Sequence, residues 1–321
     1  MEVMGRLIAL GVIFAVGCAR SLPTRQSEIR PLRQTGTAGA TSAIQTIFII
    51  LMENRDWAEI VGSESAPYTN GTLLPQASYT DQYFNPPNIH PSLPNYLWLE
   101  AGDNFGISND DNPDVNHQAT PDHLMSYLEA VGVSWKTYQE GITGNDCPLV
   151  DSGLYAPKHN PFVYFDDTTD GLDSQSRHCI TSVRPYDELA GDLASGNIAQ
   201  YVFITPDNCH DMHDLLGCET PDPILNGDLW LSREVPNILA SDAYNNNGAL
   251  FITWDEGTGS SDGPIGMVVL SPLAVGGGYH NAVYYTHSSF LRTAEEVFNV
   301  GPLLGDAANA NSLSDLFATY P

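Results

Sequence analysis

The sequence predicts an α/β fold built on a mainly parallel sheet. Three observations carry this. Residues 46–52 (TIFIILM) form an unbroken apolar run, the pattern of a strand buried on both faces. Further apolar runs at 201–205, 249–254 and 265–270 alternate with stretches of helical periodicity. No internal repeat and no linker divides the body, so residues 45–321 read as one domain with an irregular insertion at about 139–183.

In chain order, residues 78–84 form a second candidate strand, and 96–101 a short helix just after His90-Pro91-Ser92-Leu93-Pro94-Asn95. Residues 121–131 are amphipathic with Pro121 in the first turn and Gly132 at the end, a helix with both boundary signals. A strand follows at 133–138, a helix at 186–194 and the strand at 201–205. Residues 229–243 read as a helix that Pro236 kinks or breaks. The strands at 249–254 and 265–270 precede a last helix over 288–300. Trp98, Trp135, Trp230 and Trp254 are core candidates, whereas His117 and His123 read as surface histidines.

The charge excludes one class of partner. The chain carries 39 acidic and 12 basic residues, a net of −27. Five of the basic residues precede position 34, so seven face 37 acidic ones beyond it and the body carries −30. Such a surface repels nucleic acid and anionic lipid. An anionic substrate would need cations to overcome this field.

The N-terminus reads as a targeting segment. Arg6 precedes an apolar run from Leu7 to Val16, the length of a signal-peptide core and too short to span a bilayer. Ala15-Val16-Gly17-Cys18 resembles a bacterial lipobox, so residues 1–18 are expected to be a lipoprotein-type signal peptide and Cys18 a lipid anchor, with plain secretion as the alternative. Residues 19–44 are polar and suit a flexible tether. Either route makes the protein exported, to the cell envelope or beyond, with any membrane contact through Cys18. The other cysteines, Cys147, Cys179, Cys209 and Cys218, are even in number and suit two disulfides. Three pairings exist, and Cys147–Cys179 with Cys209–Cys218 closes each loop locally.

Three strand ends carry acids or amides: Glu53-Asn54, the stretch from Asp207 to Asp214, and Asp255-Glu256. In a parallel sheet such ends converge on one edge, where open α/β sheets place their sites. A single acidic strand end is ordinary turn chemistry. Three of them, with His210, His213 and His287 near in sequence, predict a cation site. Oxygen ligation by Glu53, Asn54, Asp255 and Glu256 favours Ca²⁺, Mg²⁺ or Mn²⁺ over Zn²⁺. A second cluster of Asp211, His213 and His287 would suit a transition metal. A hydroxyl beside such a cation loses its proton more easily, which makes Ser92 a candidate nucleophile. Read by itself, Ser92 is an ordinary helix cap. His90 is a ligand, a general acid or a turn histidine.

These residues resemble a known family: the secreted bacterial and fungal acid phosphatases and phosphatidylinositol-3-phosphatase-like phosphoesterases. They are related to bacterial phospholipases C and belong to the alkaline phosphatase superfamily. The resemblance rests on Met52-Glu53-Asn54-Arg55, on the stretch from His90 to Tyr96, and on 151–167 (DSGLYAPKHNPFVYFDD). It continues through Ile204-Thr205-Pro206 with Asp211-Met212-His213-Asp214, then 252–257 (ITWDEG), Tyr285-Thr286-His287 and Leu291-Arg292-Thr293. It implies a three-layer α/β/α sandwich, alkaline-phosphatase-like, with metal held by Glu53, Asn54, Asp255 and Glu256 beside a Ser92 nucleophile. It further implies that Asn95 helps hold the phosphoryl group and that Lys158 and His159 line the substrate pocket. Asp207 and His210 stand where the family pattern has Asn, and 103–106 (DNFG) departs from it. The expected function is an exported, metal-dependent phosphomonoesterase working through a phosphoseryl intermediate on a phosphorylated small molecule or phospholipid headgroup. The alternatives are a phospholipase C-like phosphodiesterase and a non-catalytic, metal-stabilised surface lipoprotein.

Overall fold

The computed structural model describes residues 42–213 and 218–321. The signal-peptide segment, Cys18, most of the tether and Asp214 lie outside these residues. Strands run in chain order as β1 (Thr46–Met52), β2 (Ser78–Thr80), β3 (Tyr83–Phe84), β4 (Trp135–Gln139) and β5 (Val183–Pro185). They continue as β6 (Tyr201–Thr205), β7 (Gly248–Trp254), β8 (Met267–Leu270), β9 (Tyr279–Asn281) and β10 (Tyr285–Thr286). The longer helices are α1 (Ser92–Ala101), α2 (Leu124–Val131), α3 (Leu189–Ser195), α4 (Pro223–Leu239) and α5 (His287–Phe298).

Eight strands form one sheet in the order β5-β4-β6-β1-β7-β8-β2-β9, and β3 pairs separately with β10. Among the described strands only β8 opposes its neighbours β7 and β2, and the other pairings of the sheet are parallel. Helices flank the sheet, as the expected sandwich requires. β1 lies at the centre between β6 and β7, and all seven of its residues are buried. That explains its uninterrupted apolar run: a central parallel strand has no solvent face to give to polar side chains.

Several boundaries differ from the sequence expectation. The 78–84 strand divides, because β2 joins the large sheet while β3 turns away to pair with β10. The helix at 288–300 starts at His287 and ends at Phe298. Helix α4 starts six residues early, with the Asp222 side chain accepting the Leu225 N–H, and runs through Pro236 without a break. The Pro236 carbonyl still accepts the Ala240 N–H at 3.0 Å. His123 is buried, stacked on Phe165 with its ring nitrogen 3.0 Å from Asp167, whereas Trp98 is only partly buried and donates to Ser288 Oγ at 2.8 Å. Trp135, Trp230 and Trp254 are core residues as expected. Segment 139–183 holds only short helical turns before β5, and the Cys147–Cys179 disulfide ties it together. Cys209–Cys218 is the second disulfide.

Candidate active site

Register places the site. β1 and β7 are paired from Thr46↔Gly248 to Met52↔Trp254, so Glu53 and Asp255 leave the sheet side by side. The main chain continues the pairing: Asp255 N–H donates to Met52 O at 2.9 Å, and Glu53 N–H donates to Asp211 O at 2.7 Å. Three strand ends, β1, β6 and β7, are thus fixed to one another by backbone hydrogen bonds at the carboxyl edge. Gly257 completes the turn after Asp255-Glu256. A Cβ there would meet Asp56 Oδ1 at 2.4 Å, so no larger residue fits without a shift.

Helix α1 brings Ser92 to this edge. Ser92 is the first helical residue and Pro91 occupies the cap, so Ser92 does not cap the helix. Its Oγ donates instead to Glu53 Oε2 at 3.0 Å. One turn on, Tyr96 OH donates to Glu53 Oε1 at 2.7 Å. Positions i and i+4 share a helix face, and here that face grips both oxygens of one carboxylate. At the other end of α1, Gly102 is left-handed (φ +67°), and a Cβ would strike Leu304 O at 2.7 Å, so the helix stops where a glycine is needed.

Asn54 donates its backbone N–H to Asp255 Oδ1 at 3.0 Å and its Nδ2 to Glu256 Oε1 at 2.8 Å. Asn95 Nδ2 donates to Ile89 O at 2.9 Å, Pro91 O at 3.1 Å and Glu256 Oε2 at 3.2 Å. Its amide therefore ties the 89–92 turn to Glu256, and all its donor capacity faces protein acceptors. His90 Nδ1 bonds Glu256 Oε2, and Nε2 bonds Asp262 Oδ1 at 3.0 Å. Of the expected substrate residues, His159 Nε2 lies 3.2 Å from Glu53 Oε1 and its Nδ1 4.0 Å from Asp211 Oδ2. Lys158 Nζ bonds Asp110 Oδ2 at 3.0 Å.

Burial dominates the electrostatics. Glu53, Asp255 and Asp211 are fully inaccessible and Glu256 nearly so. Burial, then the charges of Asp255 and Asp211, push the Glu53 carboxyl far above the ordinary range. Burial and the Glu256 charge do the same to Asp255. Burial raises Glu256 too, against the pull of His90, and brings Asp211 to about 7. Lys158 moves up because the Glu53 and Asp110 charges outweigh its burial. Burial, with Lys158 nearby, pushes His159 down and favours a neutral imidazole.

By donor type these residues suit a hard divalent cation, while the acidic and imidazole donors that converge within 4.8 Å lie elsewhere among the described residues. Asn54 Oδ1, Asp255 Oδ2 and Asp211 Oδ2 are buried oxygens without a hydrogen-bond partner, which is costly unless something positive meets them. The donor set is oxygen, as Ca²⁺, Mg²⁺ or Mn²⁺ prefers.

In the second expected set, His287 is committed to other partners. Both ring nitrogens of His287 are engaged: Nε2 at 2.6 Å with the Asp255 carbonyl and Nδ1 at 3.2 Å with Tyr83 OH. His287 thus braces the β7 turn through Nε2, with Nδ1 facing Tyr83 OH, and burial holds its pKa down at about 4. His213 donates its backbone N–H to Asp211 Oδ1 at 2.7 Å. Among the described residues, the group of three acidic or imidazole side chains whose donor atoms all fall within 4.8 Å is Glu140, Asp207 and His210. It includes the two positions that depart from the family pattern. His210 Nδ1 meets Glu140 Oε2 at 2.9 Å and Asp207 Oδ1 at 3.3 Å.

Sequence reasoning missed Tyr96, Asp110 and Asp262. Tyr96 was detectable, since it follows Ser92 by one helical turn. Asp262 and Asp110 sit in irregular loops with no periodic signal to mark them.

Buried carboxylates and a serine hydroxyl gathered at the carboxyl edge of a mostly parallel sheet define an α/β enzyme of hydrolytic chemistry. The fold is similar to that of a protein in the alkaline phosphatase superfamily from Vibrio parahaemolyticus, with a TM-score of 0.52 at 10% identity over 86% of this chain and 73% of that one. The phosphoesterase family model matches residues 74–301, and the chain belongs to that family, hydrolases acting on phosphoric ester bonds. It is 32% identical over 281 residues to the phosphatidylinositol-3-phosphatase of Mycobacterium tuberculosis, covering 87% of this chain and 85% of the relative. To an acid phosphatase of Aspergillus fumigatus it is 26% identical, covering 82% of this chain and only 56% of that longer protein.

Proposed function

We propose that the protein is an exported, metal-dependent phosphomonoesterase that works through a phosphoserine on Ser92. The observation that carries this reading is the Ser92 Oγ–Glu53 Oε2 hydrogen bond, at the edge where Asp255 and Glu256 also emerge. Ser92 Oγ forms a bond to phosphorus as the ester oxygen leaves, and water then releases phosphate and restores the hydroxyl. Glu53 aligns the hydroxyl through Oε2 while Tyr96 fixes the other oxygen, so the nucleophile is oriented before substrate arrives. Lys158 supplies positive charge for the phosphoryl oxygens. Asn95 and His90 hold the turn that carries Ser92, and His159 lines the pocket as a neutral imidazole.

Glu53, Asn54, Asp255 and Glu256 would hold a divalent cation, with Asp211 joined to Glu53 through the main chain. Such an ion lowers the pKa of a neighbouring hydroxyl and offsets charge on phosphoryl oxygens. The substrate class is a phosphorylated small molecule or a phospholipid headgroup, in keeping with the named activity of the mycobacterial relative. Two disulfides suit an oxidising compartment, which supports export. The lipid anchor at Cys18 remains part of this proposal.

The test is Ser92→Ala. It should release no phosphate from an aryl phosphate while keeping the wild-type metal content and melting temperature. Near-wild-type turnover would sink the nucleophile assignment. Faster cleavage of a phosphocholine diester than of the aryl monoester by the wild type would favour the phosphodiesterase reading instead.

A further inference from the structure

Asp110 lies in the irregular segment 102–112 between α1 and the next turn of helix. Its carboxylate joins two donors that belong to the site. Oδ1 accepts the backbone N–H of Leu93, the residue after Ser92, at 3.0 Å. Oδ2 accepts from Lys158 Nζ at 3.0 Å. The Asp110 charge is felt at Glu256 as well as at Lys158. The carboxylate therefore links the start of α1 to Lys158.

Those two donors are what an incoming phosphoryl group needs. A helix N-terminus offers unsatisfied N–H groups to anions. Here Pro94 has no N–H to give, so Ser92 and Leu93 carry the free amides of the first turn. One of the two is already bonded to Asp110, and so is the lysine. A planar carboxylate with each oxygen on a separate donor reproduces two non-bridging oxygens of a phosphate ester.

The contact is also built to break. The Asp110 and Lys158 side chains are 26% and 27% exposed, so water can take over from either partner. The flanking residues are anchored: Asn116 Nδ2 donates to Asn109 Oδ1 at 2.6 Å and to Asp111 O at 3.1 Å, and Tyr164 OH donates to Asp111 O at 3.2 Å. Only the side chain of Asp110 has to rotate.

We propose that Asp110 is an internal occupant of the phosphoryl pocket that sets the enzyme's affinity for phosphate. Its carboxylate holds the Leu93 N–H and the Lys158 ammonium in the free enzyme and yields both to the substrate. A dianionic phosphoryl group displaces it because it brings more charge to the same donors. The same occupant competes with product phosphate and speeds its departure. This inference rests on the phosphatase reading, whichever residue is the nucleophile.

The experiment compares Asp110→Asn and Asp110→Ala with wild-type enzyme, using an aryl phosphate as substrate and inorganic phosphate as inhibitor. Removing a charge-assisted competitor should lower KM and the phosphate inhibition constant together, by roughly five- to twentyfold, with kcat moving less than KM. Asp110→Asn keeps the shape and one acceptor oxygen, which guards against a folding defect in the alanine variant, and melting curves check both. Unchanged constants overturn the proposal. Constants that rise together also overturn it, since they would mean that Asp110 braces Lys158 for substrate. A wild-type protein that hydrolyses nothing overturns the phosphatase reading and this one with it. Hydrolysis that survives Ser92→Ala overturns only the nucleophile, and the phosphate constant of Asp110→Asn still reads the pocket.

Discussion

Glu100→Gln should stabilise the protein, and more so as pH rises. Glu100 sits on α1 two turns beyond Ser92 and is fully buried. Its Oε1 accepts from Tyr201 OH at 2.6 Å, while Oε2 has no partner. Burial raises its pKa from 4.5 to about 8, against the pull of Tyr201. Between those values the folded chain keeps a proton that the unfolded chain has released. Stability therefore falls as pH climbs through this interval, by about 1.4 kcal/mol per pH unit. The loss is roughly 3 kcal/mol by pH 7 and approaches roughly 5 kcal/mol above pH 8. Glutamine keeps the acceptor for Tyr201 and has no charge to bury. The variant should match wild type near pH 4.5 and melt higher at pH 7, by roughly 6 to 12 °C. Thermal unfolding of both proteins across this range reads the difference directly. Parallel profiles for the two proteins from pH 5 to pH 8 would refute the argument, because they would mean that Glu100 does not retain its proton.

Three further outcomes follow from the site. Tyr96→Phe removes the hydroxyl that fixes Glu53 Oε1, and kcat on an aryl phosphate should fall about tenfold with KM little changed. A KM effect of equal size would show that Tyr96 serves binding instead. Chelation should abolish activity and lower the melting temperature, since it would leave the buried oxygens of Asn54, Asp255 and Asp211 with nothing positive to meet them. Mg²⁺, Mn²⁺ or Ca²⁺ should restore both, and an unchanged melting temperature would argue against metal at this edge. The double variant Cys209→Ser, Cys218→Ser frees the segment bearing Asp211, whose carbonyl accepts the Glu53 N–H. Phosphatase activity should drop at temperatures where far-UV circular dichroism still reports a folded sheet. Full activity there would deny the disulfide any role in placing Glu53.

The central strands were legible because their physics is local. A strand buried on both faces must be apolar throughout, and β1, β6 and β7 announce themselves that way. The convergence of Glu53 and Asp255 followed from parallel pairing alone, whereas Asp211 arrives on the loop after β6. Other features depend on long-range partners that no window of sequence contains. The reversal of β8 leaves no mark on its composition, since an antiparallel strand in a covered sheet is as apolar as a parallel one. The 78–84 run looked continuous because its residues suit strands at either end, yet its two halves join different sheets. His123 read as exposed because nothing near it in sequence reveals Phe165. Pro236 suggested a kink or a break, and α4 runs through it unbroken.

His287 and Asn95 show how the site's backbone is held. A strand end that turns sharply leaves carbonyls needing donors, and buried carbonyls without partners are costly. His287 meets that need at Asp255, and Asn95 meets it at Ile89 and Pro91. These side chains hold the backbone that holds the carboxylates. Ser92 gains its freedom by the same logic. Pro91 stands at the cap, so the serine hydroxyl has no helix N–H to satisfy and turns to Glu53. The first-turn amide of Leu93 is left for an anion, and Asp110 takes it. A serine that capped its own helix would have filled the pocket it is meant to serve.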